Sequence, residues 1–423
     1  MSVLPWGLLP DSAAVGADGQ LLVGGCDLVE LAAEFGTPLF VYDEAQLRAR
    51  CREAVAAFGD GVAYATKAFL CRAMARLAHE EGMHLDVASG GELHVALSAA
   101  IPAERLVLHG NNKSDDELRR SRRAGVGRVV VDSFDELDRL ARLHDADGLV
   151  PKALLRITPG IEAHTHEYVR TGQDDSKFGF GLQVGDARRA VDVARAMSGI
   201  ELVGLHAHIG SQVFVADFFE QAVERLAPFV NETALSELSI GGGIGVAYVE
   251  GESAPSITEW GAVVTRAIGA AGITARVSAE PGRAIVAAAG ITVYEAGTIK
   301  EVPGIRTFVA CDGGFVDNPR PALYGSGYET FLPRAVGADR TEVVRLVGKH
   351  CESGDVLVAE AKVTPDLVVG DLIATPVTGA YGRSMGSNYN VLPRPAVVFV
   401  AHGEARLVVR RETEDDLLAT DVG

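Results

Sequence analysis

Between residues 61 and 283 the chain repeats one pattern eight times: a short apolar run, then in most cases a segment with apolar residues at helical spacing. The runs are Gly61–Ala65, His84–Ala88, Arg105–Leu108, Arg128–Val131, Lys152–Ile157, Glu201–Ile209, Glu237–Ile240 and Ala275–Ala279. Phe218, Phe219, Ala222, Val223 and Leu226 show the helical spacing after the sixth. Ser114 before Asp115, Asp116 and Glu117, and Ser133 three residues before Glu136, are helix-start signals. Eight strand–helix units in succession predict a (β/α)8 barrel, with a doubly wound open sheet as the competing arrangement.

The polar residues favour the barrel. Lys67 follows the first run and Asp86 lies late in the second. His109 and Asn111 follow the third, Asp132 the fourth, and Arg156 sits near the end of the fifth. His208 lies late in the sixth, Gly241, Gly242 and Gly243 follow the seventh, and Glu280 follows the eighth. In a barrel the C-terminal strand ends form one ring around one site.

After Ala289 the pattern becomes alternating β-branched segments: Ile291–Tyr294, Thr307–Ala310, Val343–Val347, Asp355–Val358, Asp371–Ala374 and Ala396–Val400. These predict an all-β domain, which the run Gln20–Val23 joins. The expected division is a barrel over residues 37–289 and a β-sandwich or barrel-like domain over 1–36 and 290–423.

A length of 423 residues, 48% hydrophobic and 23% charged, suits a globular protein with a large core. A net charge of −18 argues against a nucleic-acid partner, since no basic patch would neutralise phosphates. The opening MSVLPWGLLPDSA has no basic stretch and no sustained apolar core, so no secretory leader is expected, and no apolar stretch reaches membrane-span length. Five scattered cysteines without a CxxC pair point to a reducing cytoplasm and away from zinc.

Several segments carry chemistry. Lys67 at a strand mouth can present an amine to a carbonyl, although a surface lysine is the plain alternative. Gly241-Gly242-Gly243-Ile244-Gly245 lets backbone N–H groups approach an anion, at the place where barrels commonly bind phosphate, or is a flexible turn. Glu280-Pro281-Gly282-Arg283 is either an ion pair or a carboxylate set against a cofactor ring nitrogen. His206 and His208 share a strand face; a metal would need a third ligand, and a histidine stacked on a ring or buried in the core fits equally. Cys351 beside His350 is a reactive or a buried thiol. Arg320 and Tyr324 suit a substrate carboxylate, and Tyr381 adds a second phenol.

Taken together, these segments resemble the fold-type III pyridoxal-phosphate (PLP) decarboxylases, most closely those acting on diaminopimelate. The matching stretches are YATKA, DVASGGEL, HGNNKS, EAHTHEYVRTGQDDSKFGF, HAHIGSQ, GGGIG, EPGR, DNPRPALYG, GKHCESGD and GAYGRSMGSNYN, in order from residue 64 to 390. The resemblance implies an alanine-racemase-like barrel plus a C-terminal β domain, and roles for individual residues. Lys67 would hold PLP through its amine, His208 would stack on the ring and Glu280 would pair with the ring nitrogen. Asp86, Ser211, Gly241, Gly242, Gly243, Gly282, Arg283 and Tyr381 would complete the cofactor site. Arg283, Arg320, Tyr324, Glu352 and Tyr381 would read an amino-acid substrate, and Cys351 would return a proton to carbon. Cys351 and Glu352 would enter from a second subunit, implying a homodimer with shared sites. The implied reaction takes meso-diaminopimelate to L-lysine and carbon dioxide, without a metal. A related decarboxylase acting on a D- or carrier-linked amino acid is the alternative. Racemases of this fold place an arginine at the ring nitrogen, where this chain has Glu280. Arg383 departs from the aromatic or small residue usual after the GAYG stretch.

Overall fold

The computed structural model describes residues 3–160 and 175–423. The stretch Glu162–Phe180, one of the matching motifs, lies outside the described residues except for its last few positions. The chain divides into two compact units. One comprises Met1–Ala49, Ala247–Ser253 and Ile285–Gly423; the other comprises Arg50–Val246 and Ala254–Ala284.

In chain order the strands begin with β1 (Ala14–Val15), β2 (Leu21–Val23), β3 (Cys26–Asp27) and β4 (Leu39–Asp43). The second group is β5 (Ala63–Ala65), β6 (His84–Val87), β7 (Leu106–Leu108), β8 (Arg128–Val131), β9 (Lys152–Thr158), β10 (Phe180–Gly181), β11 (Glu201–Ala207), β12 (Glu237–Ser239) and β13 (Arg276–Ser278). The third is β14 (Gly290–Val302), β15 (Arg306–Cys311), β16 (Glu342–Val347), β17 (Val356–Val363), β18 (Leu372–Pro376), β19 (Ala396–Ala401) and β20 (Glu404–Val409).

The second group is the barrel. Its strands are parallel in the order β13-β12-β11-β9-β8-β7-β6-β5, with β10 paired to β9. Two backbone bonds, Ala63 N–H to Ala279 O at 2.9 Å and Ala65 N–H to Pro281 O at 3.1 Å, join β5 to the stretch just past β13. That closes the ring and decides against an open sheet. Each of the eight apolar runs contains one barrel strand. Helix starts follow the residues that signal them. Ser114 and Glu117 form a capping box at Asp115–Ala124, and the Ser133 side chain accepts from Glu136 N–H at Phe134–Asp147.

The other unit carries the sheet β17-β16-β15-β14-β4-β19-β20, with β18 also paired to β14, and a small antiparallel sheet of β1, β2 and β3. Its core includes Leu21, Val23, Leu28, Leu39, Val41, Ile291, Val293, Phe331, Val398 and Val400. Strand β4 departs from the sequence expectation, which assigned residues 37–49 to the barrel. All five of its residues are buried, and it lies between β14 and β19, so its backbone and both faces belong to this sheet. An apolar run buried on both faces shows no alternation that would mark which sheet it joins. Among the described residues no helix is long and apolar enough to cross a membrane.

Candidate active site

The C-terminal ends of the barrel strands gather titratable side chains at one mouth. Lys67 stands exposed on a single 3-10 turn, Thr66–Ala68, directly after β5. The turn is anchored by Thr66 Oγ1 donating to Asp86 O at 2.6 Å and by Tyr64 Oη donating to Phe69 O at 2.7 Å. Fixed on both sides, the turn offers a mobile amine from an immobile base. The charge of Lys67 acts on Asp86, His109 and His208.

Glu280 is the centre of the polar cluster. His206 Nε2 lies 2.9 Å from its Oε2, and Ser239 Oγ donates to its Oε1 at 2.6 Å. Burial pushes this carboxyl up, but the neighbouring His206 and His109, with hydrogen bonds from His206 and Ser239, hold it well below the usual carboxylate range. Asp86 goes the other way: burial and the Glu280 charge push it up. The two carboxyls are thus shifted in opposite directions. His109 Nε2 lies 3.5 Å from Asp86 Oδ1 and 3.7 Å from Glu280 Oε1, and burial lowers its pKa to about 4. Among the described residues neither Asp86 Oδ1 nor His109 Nε2 has a hydrogen-bond partner, which leaves two buried polar atoms facing each other at the barrel mouth.

His208 accepts the Gly242 N–H through Nδ1 at 3.1 Å, which fixes the ring plane. Burial drives it well below the usual histidine range, and the Lys67 and Arg156 cations add to this, so it is a neutral imidazole. Arg156 lies 3.6 Å from Asp132 and 4.2 Å over the Phe178 ring. Ser211 accepts from Arg283 Nη2 at 3.0 Å, and the two sit beside the glycine turn, because Val213 N–H donates to Gly243 O at 2.9 Å. The glycines answer a packing demand as well as a ligand. A Cβ on Gly241, Gly242 or Gly243 would lie 2.4, 2.2 or 2.2 Å from the carbonyl oxygens of Ala207, Glu280 and Gly210. Gly282 is packed against Ala65 less tightly, with its Cβ position 2.9 Å from Ala65 O.

Within the barrel unit the structure therefore brings together Lys67, Asp86, His208, Ser211, Gly241–Gly243, Glu280, Gly282 and Arg283. Ser239 was not singled out from sequence. It ends strand β12, and the strand-end rule that flagged its neighbours flags it too. His109 and Arg156 were noticed at strand ends without a role.

The remaining candidates lie on the β unit. Arg320 is buried, its guanidinium 3.7 Å over the Tyr248 ring, with Nη1 donating to Tyr328 Oη at 3.3 Å. Its Nε has no hydrogen-bond partner among the described residues. Tyr248 and Tyr328 thus orient the guanidinium; the pairing with Tyr248 crosses 72 residues of chain and left no sequence signal. Tyr324 is half-buried, and Tyr381 takes the left-handed conformation at φ 62°. Cys351 and Glu352 are exposed, with Glu352 Oε1 accepting the Gly354 N–H at 3.3 Å.

The barrel-mouth set fits PLP. Lys67 could hold its aldehyde carbon, the ionised Glu280 its ring nitrogen, the His208 face its ring, and Ser211, Arg283 and the glycine turn its phosphate. On distance alone a cation could also sit among His109, His206 and Glu280, whose donor atoms lie within 4.8 Å of one another, but His206 Nε2 and Glu280 Oε2 are already bonded to each other.

Comparisons with known proteins agree with this chemistry. Residues 44–287 match the family of pyridoxal-dependent decarboxylases over its pyridoxal-binding domain. The chain is 46% identical to the diaminopimelate decarboxylase of Mycobacterium tuberculosis over 425 residues, covering 96% of this chain and 95% of the relative. It is also 46% identical to that of Bacillus subtilis over 423 residues, again with 96% and 95% covered. Among solved structures, diaminopimelate decarboxylase from M. jannaschii in complex with L-lysine superposes with a TM-score of 0.90 at 31% identity, covering 98% of both chains. The Helicobacter pylori enzyme, also complexed with L-lysine, gives 0.84 at 30% identity, covering 92% and 98%. An amine, an ionised carboxylate and an anion-binding turn at one barrel mouth, on a chain this close to those relatives along nearly its whole length, have one reading: the chain belongs to the diaminopimelate decarboxylase family of pyridoxal-dependent decarboxylases.

Proposed function

We propose that the protein removes one carboxylate from meso-2,6-diaminopimelate to give L-lysine and carbon dioxide, as the last step of lysine synthesis. The observation that carries the reading is Glu280, a largely buried carboxylate held below the usual carboxylate range by His206, His109 and Ser239 at the barrel mouth that also holds Lys67. Bound PLP supplies an electron sink for the carbon that loses its carboxylate.

The side chains divide the remaining work. Lys67 would hold the cofactor through its amine. Glu280 would hold a proton on the ring nitrogen, and His208 would pack against the ring. Ser211, Arg283, Gly241, Gly242 and Gly243 would hold the phosphate, with Asp86, Gly282 and Tyr381 completing the cofactor site. Arg320 offers a bidentate grip to the distal carboxylate and Glu352 pairs with the distal ammonium, while Arg283, Tyr324 and Tyr381 complete the substrate contacts. Cys351 Sγ gives its proton to the carbon left by carbon dioxide. The working form is a cytoplasmic homodimer in which Cys351 and Glu352 serve the partner's site. Support for the compartment comes from five cysteines, all free and four of them buried. Fractionation of cells, and a solution mass twice that of one chain, test those two statements.

The test of function is carbon dioxide release from a panel of amino acids by the PLP-loaded protein. Release is expected from meso-diaminopimelate, with lysine and ornithine poor, because neither has the distal carboxylate that satisfies Arg320. Release from a D-amino acid with one carboxylate, and none from meso-diaminopimelate, would replace this substrate and keep the decarboxylase.

A further inference from the structure

The turn that carries Cys351 is held from two sides. From within, Asp355 accepts the His350 N–H at 2.9 Å, His350 Nδ1 at 2.8 Å and the Phe315 N–H at 2.7 Å. The turn is tight: a Cβ on Gly348 would lie 2.1 Å from Asp355 Oδ2, and one on Gly314 would lie 2.3 Å from His350 Nδ1.

From without, Asn390 reaches in. Its side-chain Oδ1 accepts the Cys351 N–H at 2.9 Å. Asn390 takes the left-handed conformation, φ 53° and ψ 22°, and Val391 follows at φ 57°. Asparagine tolerates that region; a β-branched valine does not adopt it without strain. Both residues are exposed, so the conformation gains no buried apolar surface in the chain. Its base is fixed instead. Asn388 Nδ2 donates to Leu392 O at 2.9 Å and to Glu412 Oε2 at 2.6 Å, and Glu412 also accepts from the Arg394 N–H at 3.0 Å and Nε at 2.7 Å. Between the two asparagines, the Tyr389 ring lies 5.7 Å from Phe315 and 6.1 Å from His350. A strained, exposed loop anchored at its base ends in a polar contact on the backbone of one residue, Cys351. Strain kept without burial points to a use for the geometry it imposes.

We propose that Asn390 is a positioning residue for the Cys351 thiol, fixing the backbone from which Sγ is aimed. This rests on the reading of Cys351 as proton donor. In that step the S–H bond breaks, a C–H bond forms at the carbon that has lost carbon dioxide, and the thiolate recovers a proton from water. Asn390 touches none of the reacting atoms; it sets where the thiol stands.

Three variants of the PLP-loaded protein decide it. Asn390→Gly keeps the left-handed backbone and removes the acceptor. Asn390→Asp keeps both. Cys351→Ala removes the thiol. The readouts are kcat and KM with meso-diaminopimelate, and the rate of iodoacetamide alkylation at Cys351, the exposed one of the five cysteines. Alkylation is read at its high-pH plateau, where the thiol is ionised in every variant, so that the added charge of aspartate does not decide the result. Asn390→Gly is expected to lower kcat roughly tenfold or more with little change in KM, and to change the alkylation rate severalfold, as a displaced reacting group should. Asn390→Asp is expected to restore both. Wild-type kcat and alkylation in Asn390→Gly, beside an inactive Cys351→Ala, would overturn the positioning role alone. So would equal impairment in the glycine and aspartate variants. Wild-type kcat in Cys351→Ala would overturn the proton-donor reading and the positioning role with it.

Discussion

Ser239 contributes one hydroxyl to the site, yet that hydroxyl bears on whether Glu280 is charged. Burial alone would raise the Glu280 carboxyl, and the hydrogen bonds from His206 and Ser239 are part of what holds it down. Removing the Ser239 hydroxyl leaves burial less opposed, so the folded pKa of Glu280 rises. Since the ionised form is the one proposed to hold the ring nitrogen's proton, activity in Ser239→Ala should fail earlier as pH falls. The kcat–pH profile is the measurement: its acid limb is expected at higher pH than in wild type, with activity at high pH least affected. An unmoved acid limb would remove Ser239 from the site. Lys67, Asp86, His208 and Glu280 were legible in the sequence because each stands at a strand end. Tyr248 was not, because its partner Arg320 is distant in the chain and only the folded unit puts a ring under that guanidinium.

Gly242 separates two reasons for a glycine turn. Its φ is not in the left-handed region, unlike Gly241 at 69° and Gly243 at 117°, so a side chain there meets no backbone strain of its own. Yet a Cβ would sit 2.2 Å from Glu280 O, which cannot yield without moving the Glu280 backbone. Gly242→Ala is therefore expected to lose stability by roughly 1–3 kcal/mol, in the range of an overpacked core site. It should also release PLP faster, because the element that moves carries Glu280, the carboxylate proposed for the ring nitrogen. Denaturant midpoints and PLP retention on gel filtration read the two effects; unchanged retention would confine Gly242 to the role of an open turn. The sequence reading of this turn as an anion cradle missed the packing, since the contact is with a carbonyl at the neighbouring strand end. Among the elements, the eight barrel strands were legible because each run is short, apolar and followed by a helix. Strand β4 was not, because its buried run Leu39–Asp43 has no alternation and precedes a helix just as a barrel strand does.

For the whole molecule, acid works against the fold through histidine. Burial lowers His84 and His109 to about 4, and it pulls His206 and His208 down as well. Above pH 6.5, the ordinary histidine value, neither folded nor unfolded chains protonate these groups and their full contribution is present. As pH falls from 6.5 towards 4 the unfolded state takes up protons first, and stability is lost. Asp317 acts in the opposite sense, because burial pushes it up to about 7 and the folded state keeps a proton that the unfolded state has released. Burial also raises Asp86, Glu136 and Asp312, so substitution isolates the histidine share: between pH 7 and pH 5 at fixed PLP, the melting temperature of His84→Gln is expected to fall less, or rise more, than that of wild type. Equal pH dependence in the two proteins would contradict the assignment for His84. Fold class was legible at this scale because eight repeats allow few closed arrangements. The proposed shared site is not legible in one chain, since it would depend on a second copy. Its test is also the most direct test of the proposed catalytic site. Lys67→Ala and Cys351→Ala, each inactive alone, are mixed, allowed to exchange subunits, and assayed for carbon dioxide release from meso-diaminopimelate. Activity is expected to return to about a quarter of wild type, because half of the dimers then hold one intact site of two. Exchange verified by native mass with no activity regained would contradict a site built from Lys67 of one subunit and Cys351 of the other.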